Sequence, residues 1–259
     1  MQSNIDFASV HETIEIAKRN AHLLDEKIWA KRIFPLIDLT DLSENADESG
    51  LKKLCEKARQ FEVAAICIWP QFVSLAKKIL HDTAIKIATV ANFPRGTDSL
   101  SSVQQQIKQS IDAGADEIDV VFPYSDFLAN ERNKTKEFVH GCRVTARHQM
   151  LKVIVESGVF PDLVLLKSAA FQICEAEIDF LKTSTGKLAT GATLEAAYTF
   201  LDVIRGGRFS AGIKISGGIR TLDVALNYIE LARLMMGEKW IAPKHFRIGA
   251  SQLVEELSS

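Results

Sequence analysis

Short runs of apolar and β-branched residues alternate along the chain with longer segments whose apolar positions recur every three to four residues. The first pattern is that of buried strands, the second that of amphipathic helices. The strand-like runs are FPLIDLT (34–40), AAICIWP (64–70), IKIATVANFP (85–94), EIDVVFP (117–123), LKVIVES (151–157), FLKTSTG (180–186), GIKISGG (212–218) and FRIGAS (246–251). Helical patterns fill the gaps, as in LKKLCEKARQ (51–60), SVQQQIKQSIDAG (102–114) and TLEAAYTFLDVIRGG (193–207), the last with Thr193 as its cap and a stop at Gly206. Strands recur roughly every 22 to 34 residues, the spacing of βαβ units. Eight such units predict an α/β fold, a (β/α)8 TIM-type barrel, although an open doubly wound sheet fits the same periodicity. VHETIEIAKRNAHLLDEKI, ahead of the first strand, predicts an extra N-terminal helix. No linker divides the chain, so the expectation is one domain over 1–259, with 1–32 as a helical extension and 33–257 as the barrel.

The strands also carry a parity. Successive side chains of a strand point to opposite faces, and in a barrel one face lies under the helices while the other points inward. Asp38 and Thr40 oppose Ile37 and Leu39; Glu117 and Asp119 oppose Ile118 and Val120; Lys152 and Glu156 oppose Leu151, Val153 and Val155. Lys182 and Ser184 oppose Leu181 and Thr183, and Lys214 and Ser216 oppose Ile213 and Ile215. The apolar set suits a helix-covered outer face, so three lysines and at least two aspartates are expected to converge inside the barrel. A buried charge costs several kcal/mol unless paired or neutralised. A purely structural ion-pair network answers that requirement for one pair, but five strands at once, in a fold whose interior is usually Val, Ile and Leu, point to chemistry.

Composition narrows the partners. The 259 residues are 47% hydrophobic and 25% charged with a formal net charge of −2, and no basic block offers a footprint for nucleic acid or anionic lipid. The acidic, amphipathic N-terminus lacks the apolar core of a signal peptide and no apolar run reaches the length of a membrane span, so a cytoplasmic protein is expected. Cys55, Cys67, Cys142 and Cys174 lack CxxC spacing and read as buried thiols. His11, His22, His81, His140, His148 and His245 lack HxH or HExxH spacing, and neither a metal nor another cofactor is expected.

More lysine than neutralisation needs suggests that one amine is held beside another cation, which lowers its pKa and frees it as a nucleophile for Schiff-base formation. Lys182 and Lys214, on neighbouring strands, form the natural pair; the spacing alone does not say which is the nucleophile. Asp119 would supply proton transfers. SGG (216–218) and GAS (249–251) follow the last two strands, where barrels of this type often hold phosphate, with Ser251 expected to cap a short helix SQLVEEL. Gly186, Lys187 and Arg220 could complete that site.

In order, IDLT, AAICIWP, ANFPRG, ADEIDVVFP, LKVIVESG, FLKTSTGK, KISGGIR and FRIGAS resemble the strand motifs of the deoxyribose-phosphate aldolases, class I aldolases, over roughly residues 33 to 257. The combination KTSTGK and GxKxSGGxR is specific. The resemblance implies metal-free reversible cleavage of 2-deoxy-D-ribose 5-phosphate to acetaldehyde and D-glyceraldehyde 3-phosphate in deoxynucleoside catabolism. It implies Lys182 as the Schiff-base lysine, Lys214 as the residue that depresses its pKa, and Asp119 with Lys152 as movers of protons through water. Asp38, Thr40 and Thr185 would hold the sugar; Gly186, Lys187, Gly217, Gly218, Arg220, Gly249 and Ser251 would surround the phosphate. Two departures stand out: Gln252 where many relatives carry a second serine, and an end at Ser259 where some relatives continue into a tail ending in tyrosine. A metal-free phosphosugar isomerase would need an acid/base pair but not two lysines, and a non-catalytic sugar-phosphate-binding barrel could lose Lys182, Lys214 and Asp119, all present here. The expected partners are small phosphosugars and aldehydes; a homodimer is left open.

Overall fold

The structure is a computed structural model in which residues 5–257 are described; the outermost positions of the expected domain, 1–4 and 258–259, lie outside them. Eight parallel strands close into a barrel in chain order, which removes the open sheet as an alternative. They are β1 Ile37–Asp41, β2 Ala65–Ile68, β3 Lys86–Ala91, β4 Glu117–Val121, β5 Met150–Ile154, β6 Phe180–Lys182, β7 Gly212–Ser216 and β8 Phe246–Ala250. The helices are α1 Phe7–Ala21, α2 Glu26–Arg32, α3 Glu48–Phe61, α4 Val73–Ile79, α5 Leu100–Asp112, α6 Tyr124–Leu128, α7 Arg132–Thr145, α8 Leu163–Cys174, α9 Leu194–Gly207, α10 Leu222–Met236 and α11 Leu253–Leu257. Among the described residues no helix is long and apolar enough to cross a membrane.

The parity organises the barrel. Ile37, Leu39, Ile118, Val120, Leu151, Val153, Leu181, Ile213 and Ile215 are buried in one core with the inward stripes of the helices. The alternate residues point the other way, and parallel register aligns them: Asp119 pairs with Lys152, Lys182 with Lys214, and Lys214 with Arg247. The four cysteines are buried and free.

Local signals explain where the elements begin and end. Asp47, Asp162, Thr193 and Thr221 cap α3, α8, α9 and α10, each side chain accepting a first-turn N–H. The stop expected at Gly206 falls later: α9 runs through Gly207 and closes at Arg208, which takes the left-handed conformation while Phe209 N–H donates to the Ile204 carbonyl. The expected single N-terminal helix is two, because Asp25 accepts from the Lys27 and Ile28 N–H groups and starts α2 afresh. The α1 stripe Val10, Ile14, Ala17 and Ala21 packs on α9 and α10, where Asn20 donates to the fully buried Glu230. Strand β6 is shorter than its sequence run, as the chain leaves the ladder at Thr183 and turns at Gly186, whose φ of +73° suits glycine. The last helix begins at Leu253, so Gln252, whose carbonyl accepts from Glu255 and Glu256, precedes it and Ser251 is not its cap.

Candidate active site

Asp119 on β4 is the hub of the barrel interior. Its Oδ1 accepts from Lys152 Nζ at 2.7 Å, and its Oδ2 accepts from both Lys182 Nζ and Lys214 Nζ at 2.8 Å. Lys214 also meets Asp38 Oδ2 at 2.5 Å, and Lys152 meets Glu117 Oε2 at 2.6 Å. Beneath this layer Arg247 of β8 reaches Asp38 Oδ1 at 2.5 Å and Glu117 Oε1 at 3.2 Å. The cluster therefore holds three carboxylates (Asp38, Glu117, Asp119) among four basic groups (Lys152, Lys182, Lys214, Arg247), all buried.

Burial alone would neutralise these groups, and their mutual attraction reverses that. Although burial opposes it, Lys152, Lys182 and Lys214 hold the Asp119 carboxyl well below the usual carboxylate range. Asp38 is likewise lowered against burial by Lys214 and Arg247. The Lys214 amine, for which burial favours the neutral form, is pushed well above its ordinary value by Asp119 and Asp38, and Lys152 is raised by Asp119 and Glu117. Lys214 is thus a fixed cation next to Lys182. Lys182 differs from the other three basic groups: its one carboxylate partner, Asp119 Oδ2, is shared with Lys214.

Above the cluster a cavity of about 350 Å3 opens at the C-terminal ends of β6, β7, β8 and β1. Lys182 lies at its base, Thr40 and Leu42 on one side, and Thr185, Gly186 and Lys187 on another. The wall formed by Gly217, Gly218 and Arg220 meets that of Gly249, Ser251 and Gln252. Gly217 and Gly218 have φ of +91° and +89°; a Cβ on Gly217 would come within 2.5 Å of Ser184 Oγ, so a side chain there would collide as well as strain the backbone. Lys187 spans the cavity edge, its Nζ donating to the Leu42 carbonyl at 2.7 Å and its N–H to Thr185 Oγ1 at 3.1 Å. Thr185 Oγ1 in turn donates to Glu156 Oε2 at 2.6 Å. Burial raises the Glu156 carboxyl against the two Thr185 hydrogen bonds. Backbone N–H groups at consecutive positive-φ glycines with Lys187 and Arg220 nearby make a surface suited to a phosphoryl group.

The structure brings Lys182, Thr40, Thr185, Gly186, Lys187, Gly217, Gly218, Arg220, Gly249 and Ser251 to one cavity. Asp119, Lys152 and Lys214 sit directly below, without surface of their own. Asp38 lies away from the cavity wall that the family resemblance suggested for it: it has no exposed surface, and its two oxygens face Lys214 and Arg247. Arg247 and the Thr185 partner Glu156 escaped assignment in the sequence. The parity of FRIGAS, with Phe246 and Ile248 outward, was the available signal for Arg247. Among the described residues no three His, Cys, Asp or Glu side chains stand as a metal-ligand set.

A family model described as DeoC/LacD family aldolase matches residues 32–239. Among solved structures, the aldolase QR15 is 28% identical over 87% of this chain and 96% of its own, with a TM-score of 0.76. A candidate deoxyribose-phosphate aldolase from Coccidioides immitis is 24% identical over 100% of both chains at a TM-score of 0.81. The deoxyribose phosphate aldolase of Aeropyrum pernix, described as a unique tetramer, is 23% identical over 89% of this chain and 92% of its own, with a TM-score of 0.74. The last two, below 25% identity, speak to the fold.

Proposed function

The chain belongs to the DeoC/LacD family of aldolases, and on that premise we propose that it is a lyase that reversibly cleaves 2-deoxy-D-ribose 5-phosphate into acetaldehyde and D-glyceraldehyde 3-phosphate through a Schiff base on Lys182. The observation that carries this reading is that Lys182 alone belongs both to the buried charge cluster and to the wall of the glycine-lined cavity.

In the proposed course, the phosphate rests against Gly217, Gly218, Arg220 and Ser251, while Thr40 and Thr185 face the sugar hydroxyls. The unprotonated Lys182 Nζ adds to C1 of the open-chain aldehyde, and the carbinolamine loses water to give an iminium. A proton leaves the C3 hydroxyl, the C2–C3 bond breaks, and its electron pair enters the iminium, leaving an enamine on Lys182 and releasing glyceraldehyde 3-phosphate. Protonation of the enamine at C2, followed by addition of water at C1, frees acetaldehyde and returns the amine. Asp119, kept ionised by its three lysine partners, orients Lys182 and accepts a proton through water, with Lys152 as the coupled donor. Lys214 stays protonated and disfavours a second ammonium beside it.

The reading is tested by supplying 2-deoxy-D-ribose 5-phosphate and following both aldehydes enzymatically. Wild-type protein releases them in equal amounts, and Lys182→Met, which keeps the length of the stem, releases neither. Turnover that survives in Lys182→Met rejects the assignment.

A further inference from the structure

We infer that Arg247 and Glu117, at the floor of the barrel and out of reach of substrate, are positioning residues that set the charge balance of the interior so that Lys182 is its one surplus basic group. This inference rests on the reading of Lys182 as the Schiff-base amine. The ion pairs carry it. Arg247 faces Asp38 and Glu117, Lys214 faces Asp38 and Asp119, and Lys152 faces Glu117 and Asp119. Three cations and three carboxylates thus form a ring in which every member has two opposite partners within 3.2 Å. Lys182 hangs from that ring by the single oxygen of Asp119 that Lys214 already occupies. With Lys182 neutral the ring is electrically even; with Lys182 protonated the interior carries one uncompensated positive charge away from water, where it is costly.

Arg247 supplies the third cation of that ring. A guanidinium remains charged at every working pH and its fork can serve two carboxylates at once, which a lysine on β8 could not do with the same geometry. Its register partner is Lys214, so the charge it contributes is passed to the reacting layer through Asp38. Without Arg247 one carboxylate charge is left uncompensated in the interior, and that negative charge favours the ammonium form of Lys182. Removing Glu117 has the opposite sign. The other groups facing Lys182 are Glu156 at the end of β5 and the thiol of Cys67 on β2, 3.9 Å from Asp119 Oδ2. Burial pushes both of these toward their neutral forms, neither is in ion-pair contact with Lys182 or with any member of the ring, and both stay the same in every variant compared below.

The test is the pH profile of kcat/KM for wild type, Arg247→Met, Glu117→Gln, the double variant and Arg247→Lys. At an effective dielectric of about 20, a unit charge at a separation of about 10 Å is worth about one pH unit, which sets the size of shift expected in the acidic limb. The limb moves up in Arg247→Met, down in Glu117→Gln, and returns close to wild type in the double variant and in Arg247→Lys. Titration of the Lys182 side chain by NMR with 13C-labelled lysine, assigned by loss of its signal in Lys182→Met, reads the same shifts without any substrate. It therefore tests the balance even if the protein does not cleave deoxyribose 5-phosphate, an outcome that would reject the substrate and leave this inference to the titration. Should Arg247→Met fail to fold, Glu117→Gln and the double variant still carry the two signs. Variants that lose stability or activity with the limb and the Lys182 titration unmoved would make Arg247 and Glu117 structural only, and would overturn the inference.

Discussion

Lys182 and Lys214 donate to the same oxygen, Oδ2 of Asp119, each over 2.8 Å, and of the two only Lys182 reaches the cavity. One acceptor shared in this way holds the two nitrogens close without a second carboxylate for Lys182. Lys214 is further bound to Asp38 and is the better-neutralised cation. The two amines thus differ in partners and in access to the cavity, a difference that neither residue type nor strand position could show.

Replacing Lys214 by Met removes a fixed positive charge, while Asp38 and Asp119 keep theirs, so the ammonium form of Lys182 is favoured. A charge about 5 Å away at an effective dielectric of about 20 is worth about 3 kcal/mol, or about two pH units. The acidic limb of kcat/KM in Lys214→Met is expected to move upward by about that much, with activity partly restored in alkaline buffer. A uniform loss at every pH would mean that Lys214 serves only binding or folding.

If the phosphate rests on the glycine-lined wall as proposed, binding and chemistry separate in the kinetics. Free 2-deoxyribose lacks the group that Gly217, Gly218, Arg220 and Ser251 would hold. Two charge-assisted hydrogen bonds at about 1.5–3 kcal/mol each lower its kcat/KM by roughly two to four orders of magnitude. Arg220→Gln, at an exposed position, should raise KM for the phosphosugar about tenfold and leave the free sugar unaffected. Equal kcat/KM for the two sugars would remove the phosphate from this cavity.

The eight strands were legible as short apolar runs. The inward positions of β2 and β3, Ala65, Cys67, Ala88 and Val90, are apolar and carry no parity, but in five strands an apolar outward set alternates with a polar inward one, a period-2 signal that survives without neighbours. The convergence of Asp38, Asp119, Lys152, Lys182 and Lys214 followed from it. Arg247 was harder to see because the other inward position of its strand is Gly249, which has no side chain to extend the polar parity. The break between α1 and α2 was hidden because the apolar pattern runs on through Leu23 and Leu24 and only the Asp25 cap interrupts it. The bridge from Lys187 to the Leu42 carbonyl joins loops 145 positions apart and leaves no local trace in the sequence. Asp38 is linked to the sugar by family resemblance; that its two oxygens pair with Lys214 and Arg247 follows from register across the closed barrel, which the sequence does not show.

The ion pairs make stability depend on pH in both directions. Asp119 has a folded value below its unfolded one, so its contribution is full above about pH 4 and is lost as pH falls toward the folded value. Lys214 has a folded value above its unfolded one, so its contribution is full below about pH 10 and is lost as pH rises through the folded value. Asp119→Asn should destabilise the protein by about 3–5 kcal/mol near neutrality and flatten the acid arm of the stability curve. Denaturant unfolding at several pH values checks this; an acid arm as steep as wild type would contradict it.

Activity is expected to persist in excess EDTA, because lysine and arginine nitrogens already fill the interior carboxylates within 3.2 Å. Complete loss that added zinc restores would contradict the Schiff-base course.

The most direct measurement is reductive trapping. Incubated with acetaldehyde and borohydride, then analysed as intact protein and as peptides, the protein should carry one ethyl group per chain, located on Lys182, and Lys182→Met should carry none. No adduct during turnover, or ethyl groups only on exposed lysines, would contradict the assignment of Lys182 as the residue that captures the carbonyl.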